Sequence, residues 1–231
     1  MTHLDCFGTE VTTDEIARWS RLLCEEPYRG LWNDGRPPFS SDHVEHDEEA
    51  DRFVLSWVPM STDLPFDSVV EVGCGVGDKA RFMMSMCRSY VGIDLSTFAI
   101  AHCRWKFQHR PNCRFLHTVY DRDEILDIHG VDAYLGINFF YHQPIERMGP
   151  MLDHMAPRLS DEGWILVDLL RHEDFDTTSL GRVLGERWWC WTHDEIDFGA
   201  HGLEVSRVVD MDFPDAPRTR KNIVLTRVSE Q

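Results

Sequence analysis

The chain has 231 residues, 42% of them hydrophobic, and a formal net charge of −17. That length supports a sizeable core in one large domain, or in a domain with a cap. The acidity, with no Lys/Arg-rich stretch, argues against a nucleic-acid partner, and no run approaches the roughly 20 apolar residues of a membrane span.

The seven cysteines are an odd number with no Cys-x-x-Cys spacing, which reads as reduced thiols in a cytoplasmic protein. The first twenty residues hold four acids and no apolar core, so no signal peptide is expected. Near the start, Thr13-Asp14-Glu15 opens a predicted helix on which Ile16, Trp19, Leu22 and Leu23 recur at helical spacing, and Pro27 closes it. A turn-rich stretch runs from Tyr28 to Pro38. The acids of 42–51 then read as a solvated helix face, and Phe53, Val54, Trp57 and Val58 as an apolar one. Residues 1–65 are therefore expected to form a helical cap and 66–231 the main domain.

From Asp67 the pattern alternates. Strands are expected near 68–72, 89–93, 113–117, 131–136 and 163–169, and helices near 78–88, 97–109, 122–128 and 145–158. That alternation predicts a parallel sheet with helices on both faces. Residues 171–191 break the rhythm and end in Trp188-Trp189-Cys190-Trp191. A helix is then expected to start at 192–196 and stop at Gly202, followed by two strands over 204–211 and 222–228.

Residues 69–78, Val-Val-Glu-Val-Gly-Cys-Gly-Val-Gly-Asp, carry the chemistry. A β-branched run breaks into glycines at 73, 75 and 77, which permit positive φ and close approach of backbone to a ligand. A second apolar run, 90–93, ends in Asp94, whose carboxylate can accept both hydroxyls of a ribose. Glu71 before the turn suits a cationic cofactor better than a diphosphate, which prefers bare amides. The dinucleotide pattern Gly-x-Gly-x-x-Gly places Asp78 where its third glycine belongs, which disfavours a nicotinamide cofactor.

These residues, Glu71 to Gly77 followed by Val91-Gly92-Ile93-Asp94-Leu95-Ser96, resemble the first two motifs of class I S-adenosylmethionine-dependent methyltransferases. Weaker likenesses follow in family order at 113–118, 131–136, 138–142 and 159–167, so the resemblance covers about Asp67 to Val228. It implies a Rossmann-like, doubly wound, mostly parallel seven-stranded sheet with a C-terminal antiparallel hairpin. It also implies S-adenosylmethionine as cofactor, held by Glu71, Gly73, Gly75, Gly77, Asp94 and Leu95, with Tyr120 or Asp121 near the adenine and Asn138 near the methionine moiety. Tyr28 and Trp32 on the cap loop are candidates for the methionine end or the substrate.

Catalytic candidates belong just after the fourth and fifth strands, where open α/β sheets bind ligands. His142 stands in the family's His-His position with Tyr141 replacing the first His, and an imidazole can take a proton at neutral pH. His172 and Asp168, at the end of the fifth strand, are the alternatives as base or substrate contact, and Trp189 is a candidate pocket wall. No tight ligand spacing supports a metal. The expected activity is methyl transfer to a hydroxyl, amine or activated carbon of a small acceptor, with an aromatic specialised metabolite suggested by eight tryptophans. Two alternatives stay open: a non-catalytic cofactor-binding relative, and a nicotinamide-dependent oxidoreductase, which lacks a Tyr-x-x-x-Lys pair here.

Overall fold

The computed structural model describes residues 1–25, 65–137, 139–170, 195–211 and 220–228. Seven strands form one sheet in the order β5-β4-β3-β6-β7-β9-β8. By internal packing the chain divides into two compact units, Met1–Cys6 with Glu10–Asp127, and Phe7–Thr9 with Ile128–Gln231.

The first unit begins with a short antiparallel pair, β1 (Thr2–Leu4) and β2 (Glu10–Thr12), which periodicity had not indicated. Helix α1 (Thr13–Glu25) starts where expected. Its N-terminus is capped by Thr12, whose Oγ1 accepts from the Glu15 amide at 3.1 Å, so an orphan donor of the first turn is satisfied. Then β3 (Phe66–Val72), β4 (Cys87–Asp94) and β5 (Cys113–His117) pair in parallel. Their C-terminal parts, 69–72, 90–94 and 115–117, are buried without interruption, as a sheet covered on both faces requires.

Helix α2 (Ala80–Met86) is shorter than expected, because the chain passes directly from Met86 into β4. Helix α3 (Thr97–Lys106) is capped by Ser96, whose Oγ accepts from the Ala99 amide at 3.1 Å, and carries Arg104 and Lys106 at its negative end. Helix α1 packs on α3: Ser20 Oγ accepts from the Thr97 amide at 3.1 Å and lies 3.0 Å from the Thr97 hydroxyl. The unit closes with the short α4 (Arg122–Leu126).

In the second unit β6 (Val131–Gly136) runs parallel to β7 (Leu159–Leu170), with a register shift between Val131 and Ala133. That irregularity lets β7 begin four residues before the expected 163. A Cβ on Gly163 would stand 2.5 Å from the Val131 carbonyl oxygen, so this crossing tolerates only glycine. The expected helix over 145–158 is a composite: 3₁₀ turns at Ile145–Arg147 and Ala156–Arg158 flank α5 (Met148–Met155). The element predicted to stop at Gly202 is, where described, a 3₁₀ turn over Phe198–His201. Strands β8 (Leu203–Met211) and β9 (Arg220–Arg227) pair antiparallel, and β9 pairs antiparallel with β7. The Arg227 guanidinium ties this hairpin to the start of β7 by donating to the carbonyls of Leu159 (2.8 Å) and Ser160 (2.6 Å).

Candidate functional site

The carboxyl ends of β3, β4 and β5 carry the polar groups that the first unit gathers. After β3 the chain turns through Gly73, Gly75 and Gly77 at φ of 72°, 52° and 78°, a region costly for residues with a Cβ. The turn is bound to β4: the amides of Gly73 and Cys74 share the Ile93 carbonyl at 2.8 and 3.1 Å, and Gly77 N–H returns to the Cys74 carbonyl at 3.0 Å. At Gly77 space is a second constraint, since a Cβ would fall 2.8 Å from a Phe107 ring carbon and 2.9 Å from Cys103 Sγ.

Asp94 ends β4 with 9% of its surface exposed. Its Oδ2 accepts from the Gly75 amide at 2.9 Å and its Oδ1 from the Ser96 amide at 2.7 Å. One carboxylate thus joins the glycine turn to the start of α3. Burial pushes its pKa above the usual carboxylate range, against the pull of the Ser96, Gly75 and Leu95 amides. Each oxygen accepts one of these bonds and retains acceptor capacity toward a ligand hydroxyl. Leu95 beside it is half-buried.

Glu71, at the end of β3, is fully buried. Its Oε2 accepts the Tyr90 hydroxyl at 2.5 Å, and the Lys79 ammonium lies 3.3 Å from Oε1. Oε1 is buried and has no hydrogen-bond partner besides this ion pair. Burial raises the Glu71 pKa, with Lys79 and then Tyr90 pulling it back.

At the end of β5 His117 is paired in register with Asp94. Its Nδ1 accepts from the amides of Val119 (3.1 Å) and Tyr120 (3.3 Å), which places the ring proton on Nε2. That nitrogen is buried without a well-formed bond, although the Leu95 carbonyl is near enough to favour the charged ring. Burial still lowers the His117 pKa on balance. The neighbouring Thr118 hydroxyl is also buried and unpartnered. Tyr120 is exposed and stacks on His117 at 4.4 Å between centroids. Asp121 Oδ2 accepts from the His117 amide and from Arg104, both at 2.6 Å. That oxygen is already engaged within the chain.

In the second unit Tyr141 is buried and His142 half-buried, their rings 4.4 Å apart in the 3₁₀ turn Phe140–His142, which packs on β7. Asp168 is fully buried on β7, opposite Asn222 of β9. The candidates Tyr28, Trp32, Asn138, His172 and Trp189 lie outside the described residues.

The first unit therefore brings together Glu71, Gly73, Gly75, Gly77, Asp94 and Leu95, with Tyr120 and Asp121 at the neighbouring strand end. Sequence reasoning missed Lys79, Tyr90 and His117 as members of this cluster. Lys79 and Tyr90 had looked like a helix start and a strand hydrophobe. His117 offered only the signal of ending the third strand of the pattern.

Residues 69–163 match a family model described as a methyltransferase domain. No curated protein matches the sequence. Among solved structures, the magnesium protoporphyrin IX methyltransferase of Synechocystis PCC 6803 with bound S-adenosylmethionine is similar at 16% identity and a TM-score of 0.62, over 94% of this chain and 98% of that one. The N-methyltransferase NodS of Bradyrhizobium japonicum with S-adenosylhomocysteine gives 16% identity and 0.59, over 93% and 98%. An S-adenosylmethionine-dependent methyltransferase of Clostridium acetobutylicum gives 12% and 0.61, over 87% and 96%.

Proposed function

We propose that this chain is a class I S-adenosylmethionine-dependent methyltransferase and that, with S-adenosylmethionine as cofactor, it methylates a hydroxyl, amine or activated carbon of a small acceptor. The observation that carries the reading is the glycine turn held against Asp94 by the Gly75 amide, with a buried glutamate behind it. The residues fit the cofactor by their own unmet capacity. Asp94 has acceptor capacity for ribose hydroxyls, Glu71 Oε1 lacks a well-formed donor, and the glycines leave backbone free of Cβ atoms.

When bound, S-adenosylmethionine supplies a sulfonium methyl that a nucleophile displaces in line, and the thioether leaves. The chain's share is then alignment, which can lower a barrier by about 7–11 kcal/mol, and removal of the acceptor's proton where there is one. For that proton we assign His142, with His172 the alternative base, and Tyr141 orients substrate or cofactor. Asp168, Trp32 and Trp189 are assigned to the acceptor, and Tyr28 and Asn138 to the methionine end of the cofactor.

A planar aromatic acceptor is favoured by the tryptophan-rich composition. The Synechocystis neighbour is a porphyrin methyltransferase and NodS an N-methyltransferase, so one fold serves unlike acceptors and does not choose among them. We infer that the site takes small molecules in preference to nucleic acid, on the strength of the net charge of −17.

Calorimetric titration with S-adenosylmethionine, S-adenosylhomocysteine and NADH tests the reading. Micromolar binding of the first two, without NADH, is the expected result. It justifies screening acceptor libraries for a methyl-group mass shift and testing whether His142→Ala abolishes turnover while keeping cofactor affinity. Binding of NADH alone refutes the reading.

A further inference from the structure

The two oxygens of Glu71 are unequally served. Oε2 holds the Tyr90 hydroxyl at 2.5 Å, whereas Oε1 faces an ammonium 3.3 Å away and no well-formed hydrogen bond. Glu71 is 0% exposed, and a carboxyl taken that far from water keeps its proton unless positive charge stands beside it. The titratable groups that act on it are Tyr90 on β4 and Cys74 and Asp78 in the turn, with Asp94 on β4 and Cys103 on α3 next beyond Cys74. All of these are acids. Among the described residues, Lys79 is the group that supplies positive charge there, from a side chain 15% exposed at the rim.

The pair is reciprocal. Burial alone pulls the Lys79 pKa down, but Glu71 and Asp78 together outweigh it and leave the ammonium firmly charged. Lys79 sits at the N-cap of α2, which makes no side-chain cap hydrogen bond, so capping does not explain its placement.

We propose that Lys79 is a positioning residue for cofactor binding: it keeps Glu71 ionised, so that Oε1 can accept an N–H from a cationic ligand group. The α-ammonium of S-adenosylmethionine is such a group, so the inference rests on the reading of this turn as the cofactor site. Lys79 acts through Glu71 and need not touch the cofactor. Tyr90 assists by holding Oε2, so that Oε1, shared with the Lys79 ammonium, is the oxygen that turns to the ligand.

The test is the ratio of Lys79→Met to wild-type Kd for S-adenosylmethionine, measured by calorimetry from about pH 6 to about pH 8.5. Taking the ratio cancels the ligand's own amine, which titrates near 8. Without Lys79 the Glu71 pKa rises further. Affinity for the cation is then lost at low pH, where Glu71 is protonated, and recovered as pH rises through the new pKa. The expected ratio is about tenfold or more at the acid end and falls toward one, by up to about tenfold per pH unit. Lys79→Arg, which retains the charge, rescues most of the affinity.

In a Glu71→Gln background, removing Lys79 should change Kd by less than about twofold, because its partner is already neutral. That comparison decides the matter even where Lys79→Met alone does not fold. A ratio that does not vary with pH overturns the proposal, as does an equal effect of Lys79→Met with and without Glu71. Absence of any S-adenosylmethionine binding by the wild type refutes the cofactor reading instead.

Discussion

Replacing Asp94 by asparagine keeps the size and shape of the side chain but turns one acceptor oxygen into a donor. The carboxylate accepts from Gly75 at 2.9 Å and Ser96 at 2.7 Å, so in the Asp94→Asn variant one of these amides must face an NH₂ group. A hydrogen bond to a charged group contributes about 1.5–3 kcal/mol, and the orphaned donor adds to its loss. Against this, the amide sheds the burial penalty that raises the Asp94 pKa, which moves the expected net cost to the low end, about 2 kcal/mol. For a chain of this size that is a fall in Tm of roughly 4–8 °C. The second consequence is functional: the variant loses a charged acceptor for ribose hydroxyls, and the same 1.5–3 kcal/mol predicts about 10- to 150-fold weaker S-adenosylmethionine binding. Scanning fluorimetry and calorimetry on one preparation read both effects. An unchanged Tm refutes the argument that this carboxylate ties turn to helix. A lowered Tm with unchanged cofactor affinity refutes its role at the ribose.

Gly77 and Gly8 have nearly the same φ, 78° and 76°, but a Cβ at Gly77 strikes Phe107 and Cys103 whereas at Gly8 it meets nothing within 4 Å. The left-handed strain cancels between the two alanine variants. Urea unfolding should therefore show Gly77→Ala less stable than Gly8→Ala by about 1–3 kcal/mol, the cost of overpacking, and equal losses would refute the packing argument. His117 has a lowered pKa, so below an ordinary histidine pKa of about 6.5 the unfolded chain takes up a proton that the fold refuses, and stability falls with pH. His117→Asn keeps an acceptor for the Val119 and Tyr120 amides and should show a shallower loss of Tm between about pH 7.5 and about 5.5; an identical slope would count against it. Ser20→Ala removes the acceptor that α1 offers to the Thr97 amide, so about 0.5–1.5 kcal/mol of docking is lost, and amide exchange in α1 should accelerate severalfold while β4 stays protected.

Where sequence and structure agree, the signal was local. β3 and β4 announced themselves because β-branched runs stop at glycine and at Asp94, and the conformations needed there (positive φ, a strand-tip acid) are tied to residue type. The starts of α1 and α3 fall where the pattern placed them, at Thr13 and Thr97, whereas their caps, Thr12 and Ser96, went unread. The pair β1 and β2 escaped because three-residue strands carry too few alternations to show a period. The early start of β7 escaped because it depends on a register shift against β6, a property of two strands and not of either alone.

The electrostatic character of the site was legible only in half. Glu71 read as a carboxylate offering negative charge to a ligand, whereas the fold brings Lys79 and Tyr90 against it, so that charge is paired within the chain. A lysine eight positions on, at the N-cap of α2, and a tyrosine on the next strand have no sequence relation to a glutamate; only the parallel register of β3 and β4 and the return of the turn make them neighbours. A buried carboxylate paired with one ammonium and one hydroxyl still favours a ligand that brings an N–H donor, and offers little to a diphosphate. On the proposal that Lys79 keeps this carboxylate ionised near neutral pH, the preference for a sulfonium amino acid over a dinucleotide depends on a residue outside the glycine pattern.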